Sequence, residues 1–350
     1  MSPTDQVILI TGASGFVASH IVHDFLRAGY KVRGTVRSAA TADKVRQSFP
    51  QYAAEQLSLV IVEDVAQPGA FDTAVEGVHG VIHTAAPFQV FAVEDNERDL
   101  LKPAIDGTLN ILQAVHRLAP KVQRVVLTSS FAAMADHSKG RWPGHVYSEQ
   151  DWNNTPYEVA AAPGAPAGLA YSTAKALAER AAWDYVRANQ PGFTIATILP
   201  PLIYGPNINA TADLTRLNTS SMDLYRLMAP ASRASDPVPE NLFWSFADVR
   251  DVAHAHLRAY EVPAAGNERF FICTGNFTYQ QFLDALRAGI PEIRDRVPVG
   301  RPGTGEVPSD VYTVDTSKSR RILGLEYHSL EETIVDAARS LLRLEKAERG

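Results

Sequence analysis

The chain has 350 residues, 45% hydrophobic and 21% charged, a composition that excludes a wholly disordered protein. Its 33 basic and 39 acidic residues leave a net charge of −6, without the electrostatic footprint of a duplex-binding protein. The one cysteine, Cys273, excludes an intramolecular disulfide and fits a reduced, cytoplasmic setting. No run approaches the ~18 apolar residues of a membrane span, and the N-terminal stretch lacks the basic and apolar regions of a signal peptide.

In chain order, Val7–Ile10 reads as a buried strand and Phe16–Ala28 as a helix stopped by Gly29. Strands follow at Lys31–Val36, Leu57–Val62, Gly80–Thr84 and Val122–Thr128, with a helix over Leu100–Leu118 between the last two. Strand and helix in alternation mean parallel pairing through crossover helices. Strands covered on both faces read as continuous apolar runs, as these do. Thr155–Ala170 is rich in Ala, Pro and Gly and reads as a surface loop, Tyr171–Ala188 as a long helix, and Phe193–Leu199 as a strand. Asn207–Asn241 is irregular. Phe243–Val249 and Arg269–Thr274 are expected to return to the main sheet, with a helix at Val252–Tyr260 between them. Thr278–Arg287 and Ser329–Lys346 read as helices.

The first strand runs into Thr11-Gly12-Ala13-Ser14-Gly15-Phe16-Val17-Ala18. Gly12 allows a tight turn, and Gly15 lets backbone approach a pyrophosphate. The helix that begins with Phe16 and Val17 points its first N–H groups and positive dipole end at the phosphates. Ala18 is the third small residue of a G-x-x-G-x-x-A pattern. At the end of the second strand, where an NAD site places an acid, stands Arg37, with Lys44 following. A guanidinium there can grip a 2′-phosphate, which points to NADPH/NADP+ as cofactor. Asp64 is a candidate partner for the adenine amino group, with Val65 against the ring. His83 and Thr84 end the fourth strand, where small residues let the cofactor cross the sheet edge. The expected fold class is α/β, a Rossmann-type doubly wound parallel sheet with a smaller interwoven C-terminal substrate lobe. Residues 1–204, with 243–274, would form the nucleotide-binding domain, and 205–242 with 275–350 the substrate-binding lobe.

The fifth strand ends in Thr128-Ser129-Ser130, and Tyr171-Ser172-Thr173-Ala174-Lys175 opens the long helix. Tyr and Lys four apart share a helix face. An ammonium near a phenol favours the phenolate and lowers its pKa from near 10. With a serine hydroxyl from the strand end, the set suits carbonyl reduction, in which hydride comes from a nicotinamide and the proton from Tyr171.

On the motifs TGASGFVASH, GYKVRGTVRS, VIHTAAPF, VLTSSFAA, YSTAKALAERAAW, LPPLIYGP, FADVRDVAHAH and GLEYHSLEETIVDAA, the chain resembles the extended short-chain dehydrogenases/reductases. Within them it is similar to the dihydroflavonol 4-reductases and the fungal aldehyde and methylglyoxal reductases. The resemblance covers nearly the whole chain. It implies Ser130, Tyr171 and Lys175 as catalytic residues and Arg37 and Lys44 on the 2′-phosphate. It also implies Pro201 and Ser220 in the cofactor pocket and Asn110 as a buttress. Phe88, Phe131 and Tyr204 are the substrate-side candidates, with Met134, Tyr157 and Met228 as further pocket residues. His137, His145, His254 and His256 form no metal pattern, so no metal is expected. The expected protein is a cytoplasmic, NADPH-dependent carbonyl reductase, compatible with a ketoreductase of fungal secondary metabolism. It would act on a small carbonyl compound, as monomer or homodimer, without nucleic acid or membrane. The competing readings are an epimerase or dehydratase of nucleotide sugars that retains NAD, which Arg37 opposes, and a non-catalytic NADPH-binding sensor, which has no need of the Ser/Tyr/Lys set.

Overall fold

The computed structural model describes residues 2–86, 93–209 and 214–349. Its elements begin with β1 (Val7–Thr11), α1 (Phe16–Arg27), β2 (Lys31–Val36), α2 (Ala39–Ser48), β3 (Leu57–Ile61) and β4 (Gly80–His83). They continue with α3 (Lys102–Leu118), β5 (Arg124–Thr128), β6 (Val146–Tyr147), α4 (Tyr157–Ala161), α5 (Ala167–Asn189), β7 (Thr194–Leu199) and β8 (Leu202–Tyr204). The last third holds α6 (Thr219–Tyr225), β9 (Ser245–Asp248), α7 (Val249–Glu261), β10 (Glu268–Phe271), β11 (Gly275–Asn276), α8 (Tyr279–Gly289), β12 (Thr313–Val314), α9 (Ser317–Leu323) and α10 (Leu330–Arg349).

Seven parallel strands form the main sheet in the order β10-β7-β5-β4-β1-β2-β3. Chain direction across the sheet reverses between β1 and β4, and the crevice at such a switch point is where open α/β sheets bind ligands. Crossover helices cover both faces. On one, Ile21 and Phe25 of α1 pack with Val252 and Ala255 of α7 against Ile8, Ile10 and Ile82. On the other, Ile111 and Val115 of α3 and Ala182 of α5 pack against Leu9, Val81 and Val125. The alternation of side chains along the central strands β1, β4 and β5 feeds both cores, which is why they read as continuous apolar runs.

A separate apolar cluster holds the C-terminal helices together, with Leu224, Phe277, Phe282, Leu286, Ile334 and Leu341 fully buried in it. Helix α8 starts with a reciprocal capping box between Thr278 and Gln281.

The structure departs from expectation in three places. Of the strands expected to rejoin the main sheet, only β10 does so, beside β7. The earlier segment forms β9, which pairs in parallel with β8 and antiparallel with β11 in a small three-stranded sheet. The edge of β7 is already occupied by β10, so β9 finds its partner in the strand just after β7. Helix α2, which hydrophobic periodicity does not reveal, rests on a Ser38 cap (Thr41 N to Oγ, 3.2 Å) and buries only Ala42 and Val45. Within the expected loop over Thr155–Ala170 lies the short α4, and α5 starts at Ala167.

Candidate active site

Gly12 turns the chain at the end of β1 with φ +69, and a Cβ there would press on Ala85 at 3.3 Å, so both the turn and the space call for glycine. The turn is held from β2, where Thr35 Oγ1 accepts from Gly12 N (3.0 Å) and Thr35 O from Ala13 N (2.9 Å). Gly15 is the N-cap of α1 and brings no side chain to the helix's first N–H groups, which leaves them directed at the crevice. Thr11 Oγ1 accepts from Thr84 N and Ala85 N, both at 3.0 Å, so its one proton goes to His83 Nδ1 at 2.9 Å. Burial, helped by the charge of Lys175, pushes His83 down to about 3, and the ring is neutral. The tips of β1 and β4 are thereby locked together at the switch point.

From this turn a cleft of about 1240 Å³ runs past Thr84 to Ser130, Tyr171 and Lys175. That exceeds the roughly 300–1,000 Å³ of an ordinary small-molecule pocket and leaves room for a dinucleotide beside a second small molecule. Gly12, Ser14, Gly15, Phe16 and Val17 line one end, and Val65, Pro201 and Ser220 line the walls. Arg37 reaches the cleft as an exposed guanidinium with no ion pair among the described residues. A backbone cradle for a pyrophosphate with an unpaired guanidinium alongside fits a phosphorylated dinucleotide.

Other expected residues fall elsewhere. Asp64 does not line the cleft, because its carboxylate turns back to accept from Ala66 N at 2.9 Å. Its neighbour Val65 does reach it, on a loop held by Asn110, whose Nδ2 donates to Val65 O (3.1 Å) and Gln67 O (3.0 Å). Asn110 therefore braces the nucleotide side. Lys44 is on α2 and is not among the residues lining the cleft, while Thr41 one turn before it is. Tyr204 is 1% exposed and packs on Phe277 and Phe282, with its hydroxyl donating to Asp223 Oδ2 at 2.6 Å. It belongs to the C-terminal core, and its neighbours Leu202 and Ile203 line the cleft instead. Met134 and Met228 are buried core residues, and Tyr157 donates to Glu97 at 2.9 Å outside the cleft. Phe88 lies outside the described residues. Phe131 does line the cleft, at the edge of an aromatic cluster with Tyr147, Phe271 and Tyr312.

At the catalytic end, α5 carries Tyr171 and Lys175 on one face, over the tip of β5. Tyr171 is hydrogen-bonded to Ser130, and burial holds its phenol above the ordinary value, with the Ser130 bond opposing. Ser130 Oγ also accepts from Ala132 N at 3.1 Å. Lys175 Nζ donates to Thr128 O at 2.9 Å, and burial brings its ammonium down to about 8, with the Glu179 charge opposing. The expectation that Lys175 lowers the Tyr171 pKa is not met. Desolvation dominates the phenol, and the ammonium is directed at the strand-end carbonyl.

The cleft also takes residues that no motif signals: Asp136, His137, Tyr147, Trp244 and Tyr312. Ser172 Oγ donates to Gly168 O (2.9 Å), so the His137 Nε2 at 2.7 Å donates to Ser172. Burial holds His137 below its ordinary pKa. Tyr147 and Tyr312 come together through the pairing of β6 with β12, more than 160 residues apart in sequence, a contact without a local signature. Among the described residues no group of three His, Cys, Asp or Glu could hold a metal ion, and no helix is long and apolar enough to cross a membrane.

Residues 8–273 match the NAD dependent epimerase/dehydratase family. The chain is 37% identical to the ketoreductase azaE of Aspergillus niger, over 98% of this chain and 99% of that protein. It is 35% identical to the NADPH-dependent methylglyoxal reductase GRE2 of Saccharomyces cerevisiae, over 97% of this chain and 98% of that one. The crystal structure of yeast methylglyoxal/isovaleraldehyde reductase Gre2 complexed with NADPH superposes with a TM-score of 0.89 at 34% identity, covering 97% of this chain and 99% of the other. On the match of residues 8–273 to its model, the chain belongs to the NAD dependent epimerase/dehydratase family.

Proposed function

We propose that this chain is an NADPH-dependent carbonyl reductase that converts an aldehyde or ketone to its alcohol. One observation carries the reading: a single cleft joins the phosphate-binding turn and the unpaired Arg37 to the Ser130, Tyr171 and Lys175 cluster. The named activities of its relatives, a ketoreductase and methylglyoxal reductases, support the same chemistry. A family member that retains NAD needs an acid where Arg37 stands, so the sugar-modifying reading is disfavoured.

In this reading Gly12, Ser14, Gly15, Phe16 and Val17 hold the pyrophosphate and Arg37 the 2′-phosphate. Thr84, Val65, Pro201 and Ser220 line the rest of the dinucleotide site. When bound, NADPH supplies the hydride. The substrate oxygen sits between the hydroxyls of Ser130 and Tyr171, whose mutual hydrogen bond already sets their spacing. A phenol held above its ordinary pKa is protonated at neutral pH and so is ready to donate as the carbonyl oxygen gains charge. Lys175, with a pKa near 8, places a positive charge beside that developing alkoxide and loses it in alkali, so reduction slows above about pH 8. Phe131 forms part of the substrate wall. The setting is cytoplasmic, and the working unit is a monomer or homodimer.

The test is NADPH and NADH consumption with a panel of aldehydes, dicarbonyls and aromatic ketones. Turnover that prefers NADPH supports the reading. Equal use of NADH removes the 2′-phosphate role of Arg37, and tightly bound NAD in the purified protein favours the epimerase or dehydratase instead.

A further inference from the structure

We infer that Glu179 is a positioning residue for this reaction, fixing the tip of β5 against α5 and with it the placement of Ser130 and Lys175. The inference rests on the reductase reading. Tyr171, Lys175 and Glu179 follow one another at four-residue intervals, on one face of α5. Each holds one of three consecutive strand-end residues. Tyr171 bonds Ser130, Lys175 donates to the Thr128 carbonyl, and Glu179 Oε2 accepts from Ser129 Oγ at 2.6 Å. The catalytic serine and the residue whose carbonyl holds the lysine therefore flank the one that Glu179 grips.

The carboxylate is itself held from all sides. Its side chain is 1% exposed. Oε1 accepts from Thr197 Oγ1 on β7 (2.8 Å), from Arg269 Nε on β10 (2.7 Å) and from Trp183 Nε1 (3.2 Å). Arg269 is in turn stacked on Trp152 at 3.7 Å, with Arg180 on that indole at 4.3 Å. One carboxylate thus joins three neighbouring strands to the catalytic helix directly beneath the reacting groups. A pair that served packing alone could be replaced by apolar groups of like volume, often without loss. Here the removal of one hydroxyl, that of Ser129, takes away the side-chain link between Glu179 and the strand tip and leaves the ion pair intact.

The groups around Lys175 are Tyr171 and Glu179 on α5, the neutral His83 on β4, and Arg269 on β10 behind Glu179. Glu179 is the one that opposes the effect of burial on the ammonium. Its neutralisation leaves Arg269 unbalanced and lowers the Lys175 pKa further.

The experiment uses Glu179→Gln and Ser129→Ala in the full chain. Labelling of Lys175 by an amine-reactive anhydride is followed against pH by mass spectrometry without cofactor, together with kcat, the KM for NADPH, and thermal unfolding. Glu179→Gln is expected to move the labelling midpoint down by about one pH unit and to reduce kcat about 10- to 100-fold, with the KM for NADPH nearly unchanged. Ser129→Ala is expected to reduce kcat several-fold with the midpoint in place. If both variants keep the native kcat and midpoint, whatever their melting temperature, Glu179 is structural only and the inference falls. If Glu179→Gln does not fold, an unchanged kcat in Ser129→Ala overturns it alone. A native chain that reduces no carbonyl defeats the reductase reading, while the labelling midpoint still reports whether Glu179 governs Lys175.

Discussion

At the glycine-turn end of the cleft the lining is largely backbone. Gly12 and Gly15 withhold side chains, the first turn of α1 offers N–H groups, and Arg37 brings an exposed charged side chain. At the catalytic end the contacts are made by side chains from α5 and the tip of β5, half-buried and displaced from their ordinary pKa values. The first end is shaped by main chain, held from β2 by Thr35 and close against Ala85. The second depends on partners that arrive from β4, β7 and β10, so its chemistry is a property of the whole fold.

The largest effect belongs to the catalytic end. Tyr171→Phe keeps the ring packing and removes the proton donor, so kcat should fall about 10³-fold while NADPH binding holds. Fluorescence titration of NADPH beside the turnover assay separates the two. Retention of more than a tenth of the native rate would mean that another group protonates the product.

Arg37→Ala addresses the opposite end. Loss of a charge-assisted contact to the 2′-phosphate should weaken NADPH binding about 10- to 100-fold and leave NADH almost untouched. Because the side chain is exposed, the melting temperature should hold within a degree or so. A matching loss with NADH would show that Arg37 holds the protein rather than the phosphate.

Acid separates the buried part from the exposed part. Burial lowers His20 and His256 to about 4 and His83 to about 3. Unfolded, each takes a proton below about 6.5. The unfolded chain thus binds more protons through this range, so their contribution is complete above pH 6.5 and declines as pH falls toward 4. Asp24, Glu149 and Asp251, raised by burial, offset part of the loss. The net drop between pH 6 and pH 5 should be on the order of 2 kcal/mol, read from urea unfolding at the two pH values. His256 accepts from Thr128 Oγ1 (2.7 Å) while donating from Nδ1 to Val252 O (2.7 Å). His256→Gln, which does not titrate, should flatten the dependence. Equal urea midpoints at both pH values would count against neutral burial of these rings.

The same division explains how far the sequence is readable. The G-x-x-G-x-x-A turn, Arg37 and the Tyr171/Lys175 spacing are short-range, and the parallel pairing of the strands follows from alternation. Asp64 stands outside the cleft lining because an acid after a strand can as readily cap its own turn, as it does at Ala66 N. Tyr204 faces the C-terminal core, because proximity to a motif does not tell which way a strand residue faces. Glu179 is four residues past Lys175, but its role emerges only when Ser129, Thr197 and Arg269 meet around it. Tyr147 and Tyr312 depend on a pairing across most of the chain.

The smallest effect concerns the mouth of the substrate end. Leu242 is 85% exposed and Phe243 51% exposed, large apolar groups in water on the rim of the cleft. Asn241, whose Nδ2 donates to Phe243 O (3.0 Å) and Phe277 O (3.2 Å), holds the segment in place. Neither side chain has a packing role that accounts for its exposure, and both gain by being covered. An apolar substrate that covers half of the Phe243 ring removes a few tens of Å² from water, worth about 1 kcal/mol. Phe243→Ala should then raise KM about 3- to 10-fold for a bulky aromatic ketone and leave a two- or three-carbon aldehyde unaffected, with kcat and NADPH affinity constant for both. A uniform rise in KM across the panel would place Phe243 in the framework of the site. A rise confined to the bulky substrate would place specificity on the exposed lip, in side chains that can change without disturbing the buried groups that do the chemistry.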